Sequence, residues 1–314
     1  MRGFVPLPSE GAVSNKLEYF FKHGQEYDAV LFGTSRIMAG MDPVLIESEL
    51  AERGINLKLF NLGLPNVAAY EVDYYFRKIL AGNYERLKTV LVEAWWTPPI
   101  SIDRNSFTHR RVEWHSLRQT IAAASAALAM PDWSLQEKLK QAVGHVQHFA
   151  WRLVSYGRGR DLVAAALSPP SEATSTEANQ GYRPWRPDLE ENNATGRGKK
   201  LSWSRPKPPH RNDKTGFDFS LYRKQAQLGA ERGITMIHVI PPGFRDPFPA
   251  ALLRSRVEHL IDYRPMPPGR EGKHARLAFL NDPDLHMDGV HLTQAGARGL
   301  SLLVVDDLAR LLGE

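Results

Sequence analysis

Three short runs constrain what this chain can fold into: Ala29-Val30-Leu31-Phe32, Asn56 to Leu62, and Thr89 to Glu93. The first and third are apolar on consecutive positions. A strand of that kind is buried on both faces, as in a parallel sheet covered by helices. The segments between the runs carry helical spacing. Pro43 opens one helix behind Asp42, with Leu45, Ile46 and Leu50 as its apolar positions. A second helix, from about Ala68 to Ala81, gathers Val72, Tyr75, Phe76, Ile79 and Leu80 on one side. Strands alternating with helices predict parallel βαβ units, hence an α/β fold of three layers, α/β/α, around a central parallel sheet.

The rhythm stops after the third run. Residues 101–215 contain no clear strand, and we read them as an insertion within one domain spanning 1–314. Leu117 to Met130 and Leu135 to Val154 are two predicted helices, and 171–214 is rich in Pro, Ser, Asn, Gly and charge. Within 191–214, seven Lys or Arg stand against Glu191 and Asp213. That predicts an exposed basic loop. An acidic polysaccharide is one partner for it, and nucleic acid is disfavoured because no recognisable binding fold accompanies the charge. The α/β rhythm returns with a helix over Phe219 to Gly233, a buried strand over Ile234 to Ile240, a helix over Pro249 to Ile261, a short last strand over Arg276 to Leu280, and a helix over Gly296 to Leu312. An arm or helix over Asn15 to His23 precedes the first strand.

Composition closes several routes. With 314 residues and 42% hydrophobic content, the chain can bury a large core. It has no cysteine, which removes disulfides, thiolate catalysis and Cys-ligated zinc. A net charge of +5 is modest at this length. No apolar run is long enough to span a membrane, and the N-terminus lacks a signal-peptide core. As written, the expected location is the cytoplasm, or outside it if an N-terminal anchor precedes the sequence.

Ligands of parallel sheets bind beyond the carboxyl ends of the strands. Ser35, in Gly33-Thr34-Ser35-Arg36, stands at such an end. A serine nucleophile needs a base to take its proton and a group to orient that base. Asp288 and His291, in Asp288-Gly289-Val290-His291, supply both from one short loop near the other terminus. Adding His286 to them gives a metal-binding alternative, disfavoured because only three ligands are local. His238, inside an apolar strand, reads as a core histidine. Arg36 is read as ion-paired with Asp28 or Asp42, or as a ligand for an anionic substrate. Trp95 and Trp96 are read as a stacking surface for a sugar or acyl group, or as plain packing.

These blocks resemble the SGNH, or GDSL-type, hydrolase superfamily. The resemblance rests on GTS at the first strand, Asn61-Leu62-Gly63 after the second, and DGVH followed by LTQAG. It covers residues 28–97 and 217–312. It implies a flavodoxin-like sandwich and hydrolysis or transfer of acyl esters, several relatives acting on O-acetylated carbohydrates. It implies that Ser35 is the nucleophile, Gly63 an oxyanion donor, and Asp288 and His291 the remaining pair, with no metal or organic cofactor. The substrate would be a small ester or a glycan. One block departs: where the family often has GxND, this chain has Glu93-Ala94-Trp95-Trp96. An ionised Glu93 cannot donate to an oxyanion, which leaves the amides of Ser35 and Gly63, with Asn66 as a substitute donor. Losing one donor costs about 3 kcal/mol in the transition state. The alternative is therefore a catalytically weak carbohydrate-binding or assembly module.

Overall fold

The computed structural model describes residues 12–95, 109–156, 179–184, 220–243, 250–264, 272–288 and 290–313. Five strands form one sheet: β1 (Ala29–Gly33), β2 (Leu59–Gly63), β3 (Thr89–Glu93), β4 (Thr235–Ile240) and β5 (His259–Asp262). Their order is β2-β1-β3-β4-β5, and every pairing is parallel. Helices cover both faces, giving the three-layer α/β/α sandwich.

Consecutive residues of β1 serve opposite layers. Val30 and Phe32 join one apolar core, and Ala29 and Leu31 join the other. β3 repeats this, with Val90 and Val92 on the first side and Leu91 on the second. The consecutive apolar runs are thus the sum of two interleaved alternating faces. The first core is closed by α1 (Ala12–His23), α4 (Ala69–Ala81), α6 (Leu117–Ala129) and α8 (Ser220–Ala230). The second is closed by α2 (Ser35–Gly40), α3 (Pro43–Glu52) and α10 (Gln294–Leu312). The remaining helices are α5 (His109–Glu113), α7 (Leu135–Leu153) and α9 (Ala250–Arg254). Asp42 caps α3, accepting the amides of Val44 and Leu45, with Pro43 opening the helix.

Two expectations near the C-terminus are corrected. The helix expected over Pro249 to Ile261 stops at Arg254, and the fifth strand follows it. The amides of Arg256 and Val257 both turn back to the Leu253 carbonyl, which ends the helix and frees the next residues to pair with β4. The short strand expected over Arg276 to Leu280 is instead part of a 3₁₀ helix, Gly272–Asn281. Leu277 and Leu280, three residues apart, bury together in the second core, as that tighter helix requires. The basic stretch and most of the Pro-rich excursion lie outside the described residues.

The chain crosses from β1 to β2 on one side and then to β3 on the other. The reversal opens a crevice beyond the carboxyl ends of β1 and β3, where such sheets take ligands. Ser35 follows β1 at this edge, and Glu93 ends β3 at the same edge.

Candidate active site

Ser35 is the first residue of α2, immediately behind its cap Thr34. Its Oγ lies 2.8 Å from His291 Nε2. His291 Nδ1 lies 2.8 Å from Asp288 Oδ2. An ionised carboxylate only accepts, so the ring proton sits on Nδ1 and Nε2 is left to accept from the serine hydroxyl.

The Asp-x-x-His spacing has a local cause. Asp288 Oδ1 accepts the amides of Val290 and His291 at 2.7 and 2.8 Å, closing a turn, while Oδ2 holds the imidazole. One side chain fixes both the loop and the ring. Burial raises the Asp288 carboxyl, but the bond from His291 and the two amides outweigh it and hold it down at about 2. The loop is pinned from below, because Met287 N donates to His291 O and Thr293 N donates to Leu285 O. Thr293 then caps α10. That helix packs along α2 and α3, and the hydroxyl of Ser301 accepts the Asp42 amide at 2.9 Å. This packing brings the two ends of the sequence together at Ser35.

Glu93 holds the other side of the Ser35 turn. Its fully buried carboxylate accepts the Thr34 amide and, at 3.1 Å, the Thr34 hydroxyl. Arg36 meets it through Nε at 2.8 Å and Nη2 at 2.7 Å. Neither expected partner of Arg36 is the one observed: Asp28 pairs with Arg86, and Asp42 caps α3. The carboxylate lies directly over Gly33, where an added Cβ would sit 2.4 Å from Glu93 Oε2. Glycine is therefore required at the end of β1. Sequence reasoning treated Glu93 as a misplaced charge and missed this role. Gly33 one residue past the β1–β3 register, opposite Glu93, was the available signal.

Gly63 is also a point of close approach. A Cβ there would lie 2.2 Å from the Met38 amide nitrogen, so glycine lets α2 press onto β2. Its own amide donates to Asn61 Oδ1 at 2.9 Å, and its carbonyl accepts from Lys16 Nζ at 2.7 Å. The amide is thus already engaged, against the oxyanion role that the resemblance implied. Asn61, fully buried, donates its side-chain amide to Ile37 O and Met41 O, tying β2 to α2. Asn66 is exposed, with a left-handed backbone at φ 49°, and its carbonyl accepts from Arg111 Nη2 at 2.7 Å.

The other candidates are structural or lie elsewhere. Trp95 is buried in the first core, and its backbone is held from both sides by the Tyr222 hydroxyl. Trp96 lies outside the described residues. His286 is buried, its Nε2 bonded to Leu280 O at 2.7 Å. His238 is buried within β4, and desolvation lowers its imidazole to about 4. No protein-family model matches the chain, and no curated protein matches it either.

Proposed function

We propose that this chain is a serine-dependent ester hydrolase or O-acyltransferase, with an O-acetylated carbohydrate as its expected substrate class. The observation that carries the reading is the continuous hydrogen-bonded line from Ser35 Oγ through His291 to Asp288, at 2.8 Å for each step. Three groups from two distant segments reach the proton-transfer geometry of a nucleophile, base and orienter. The carbohydrate class rests on the resemblance of the sequence blocks alone.

In the proposed reaction, His291 Nε2 takes the hydroxyl proton as Ser35 Oγ attacks the ester carbonyl. Asp288 stabilises the imidazolium that forms. The amide of Ser35 opens α2 and so has no acceptor within that helix. It is the first donor to the oxyanion, with Asn66, beyond the neighbouring strand end, as the second. His291 returns the proton to the leaving alcohol, giving an acyl-enzyme. Water or a sugar hydroxyl, activated by the same histidine, attacks the acyl carbonyl and frees Ser35. Glu93 does not oppose the oxyanion in this scheme, because its oxygens are committed to Arg36 and Thr34.

The test is hydrolysis of short-chain aryl esters and acetylated sugars by wild type and by Ser35→Ala. Turnover that disappears in a folded Ser35→Ala protein supports the reading. Turnover that survives the substitution contradicts it, as does ligand binding without turnover in the wild type.

A further inference from the structure

Helix α7 is inside out. It buries Gln141, His145 and His148, the two histidines at 1% and 2% exposure, while Leu135, Val143 and Leu153 stand 71%, 64% and 69% exposed. The buried side is largely polar, and its histidines are hydrogen-bonded. His115 Nδ1 donates to Arg111 O at 2.7 Å, so its Nε2 accepts from His145 Nδ1 at 3.0 Å. His148 Nδ1 donates to Gly144 O at 2.8 Å, and its ring stacks on that of His115. The polar layer therefore belongs where it is, and the apolar stripe has no place inside the domain. Helix α6 adds Leu117, Ile121 and Leu128, also on its solvent side. Of the thirteen exposed large apolar residues among the described residues, ten fall between 117 and 156. This is a surface feature of one helical hairpin.

The size of the stripe points to the occupant. On α7 the stripe runs Leu135, Leu139, Val143, Val146, Leu153, and on α6 it runs Leu117, Ile121, Leu128. The steps are of three, four and seven residues, which keeps each stripe on one side of its helix. Such a stripe suits a seam against another helix. The exposed side chains offer on the order of 1,000 Å² per chain, somewhat above the roughly 800 Å² per partner of a stable complex and beyond the few hundred Å² that monomers leave bare. Among the described residues, no helix is long and apolar enough to cross a membrane.

We propose that the α6–α7 hairpin is a homodimer interface, in which the hairpins of two copies pack into a four-helix bundle about a two-fold axis. An isologous contact needs only one self-complementary patch. Both helices carry an exposed apolar stripe, so either one can face its counterpart. This inference is independent of the chemistry proposed at Ser35.

The test is the mass of the full chain in solution, by light scattering and sedimentation velocity, for wild type and for the double variant Leu139→Glu, Val146→Glu. Both positions are solvent-facing, so the substituted monomer should keep its far-UV circular dichroism. The expected result is a wild-type particle of twice 35.4 kDa and a folded variant of 35.4 kDa. A wild type that is monomeric at tens of micromolar overturns the proposal, and binding of that monomer to phosphatidylglycerol vesicles would assign the stripe to lipid. A dimer that survives in the variant also overturns it, by placing the interface elsewhere. Single-cysteine cross-linking at Val143→Cys, feasible because the chain has no cysteine, reads the same interface if the double variant fails to fold. A cross-linked dimer upholds it, and no cross-link at any wild-type dimer concentration opposes it.

Discussion

Glu93 and Arg36 close an ion pair directly behind the serine: Arg36 Nη2 lies 2.7 Å from Glu93 Oε1, and both side chains are nearly or fully buried. The same carboxylate accepts from Thr34. Residues on both sides of Ser35 are therefore held by one group from the neighbouring strand. Truncating one partner of a buried pair leaves the other charged, uncompensated and out of water, at a cost of about 3–5 kcal/mol. Glu93→Ala is expected to lower stability by that order and to abolish turnover. Glu93→Gln keeps an acceptor for Thr34 and should fall between Ala and wild type. Denaturant melts and esterase assays on both variants check this ordering. A fully active, fully stable Glu93→Ala would remove Glu93 from the account.

Gly63 carries a steric prediction. In Gly63→Ala, the new methyl would sit 2.2 Å from the Met38 amide nitrogen, which is backbone and cannot swing aside. Helix α2 must shift, and Ser35 shifts with it. Overpacking of this kind costs about 1–3 kcal/mol. The expected readout is a lower Tm together with a fall in kcat that exceeds any change in KM.

Asp288→Asn separates orientation from architecture. The amide oxygen of Asn can still accept the turn amides now bonded to Oδ1. Its NH₂ cannot accept from His291 Nδ1, so the ring loses its working tautomer. A loss in kcat of about 10⁴-fold is expected, with a modest fall in Tm because the stabilising carboxylate charge is gone. Because Asp288 is held at about 2, it stays ionised throughout the working pH range. Its contribution to stability is present above the ordinary carboxylate range and is lost only as pH falls from about 4 towards 2. Nuclear magnetic resonance titration of the carboxyl carbon follows this directly.

Two buried histidines predict acid sensitivity at milder pH. Desolvation lowers His238 to about 4 and His115 to about 2, the latter aided by the neighbouring His148 and His145. In the unfolded chain both protonate near 6.5. The unfolded state therefore binds more protons below that pH, and stability falls as pH drops from about 6.5 to 4. The slope approaches about 1.4 kcal/mol per pH unit for each fully differential proton. His238→Leu should flatten the dependence of urea stability on pH across this window. An unchanged slope in a folded variant would contradict the assignment.

The sandwich was legible because its strands announce themselves. Ala29 to Phe32 and Thr89 to Glu93 are buried on both faces, and the helices between them carry clean apolar periodicity. The candidate triad was legible because Asp288 and His291 sit in one short loop and Ser35 follows a strand end. What failed depended on tertiary contacts. The fifth strand hides in a sequence that reads as helix until the Leu253 carbonyl ends the helix early. The charge of Glu93 looked misplaced because its partner Arg36 is fifty-seven residues away and meets it only across the β1–β3 register. Gly63 was legible as the glycine ending the second strand and, by resemblance, as an oxyanion donor, but the engagement of its amide by Asn61 was not.

The proposed chemistry requires that Ser35 be an activated nucleophile. Intact-mass analysis after treatment with a fluorophosphonate tests it most directly. A single adduct is expected on wild type, mapped to Ser35, with no adduct on folded Ser35→Ala or His291→Ala. No adduct on folded wild type, or one that maps to another residue, would contradict it.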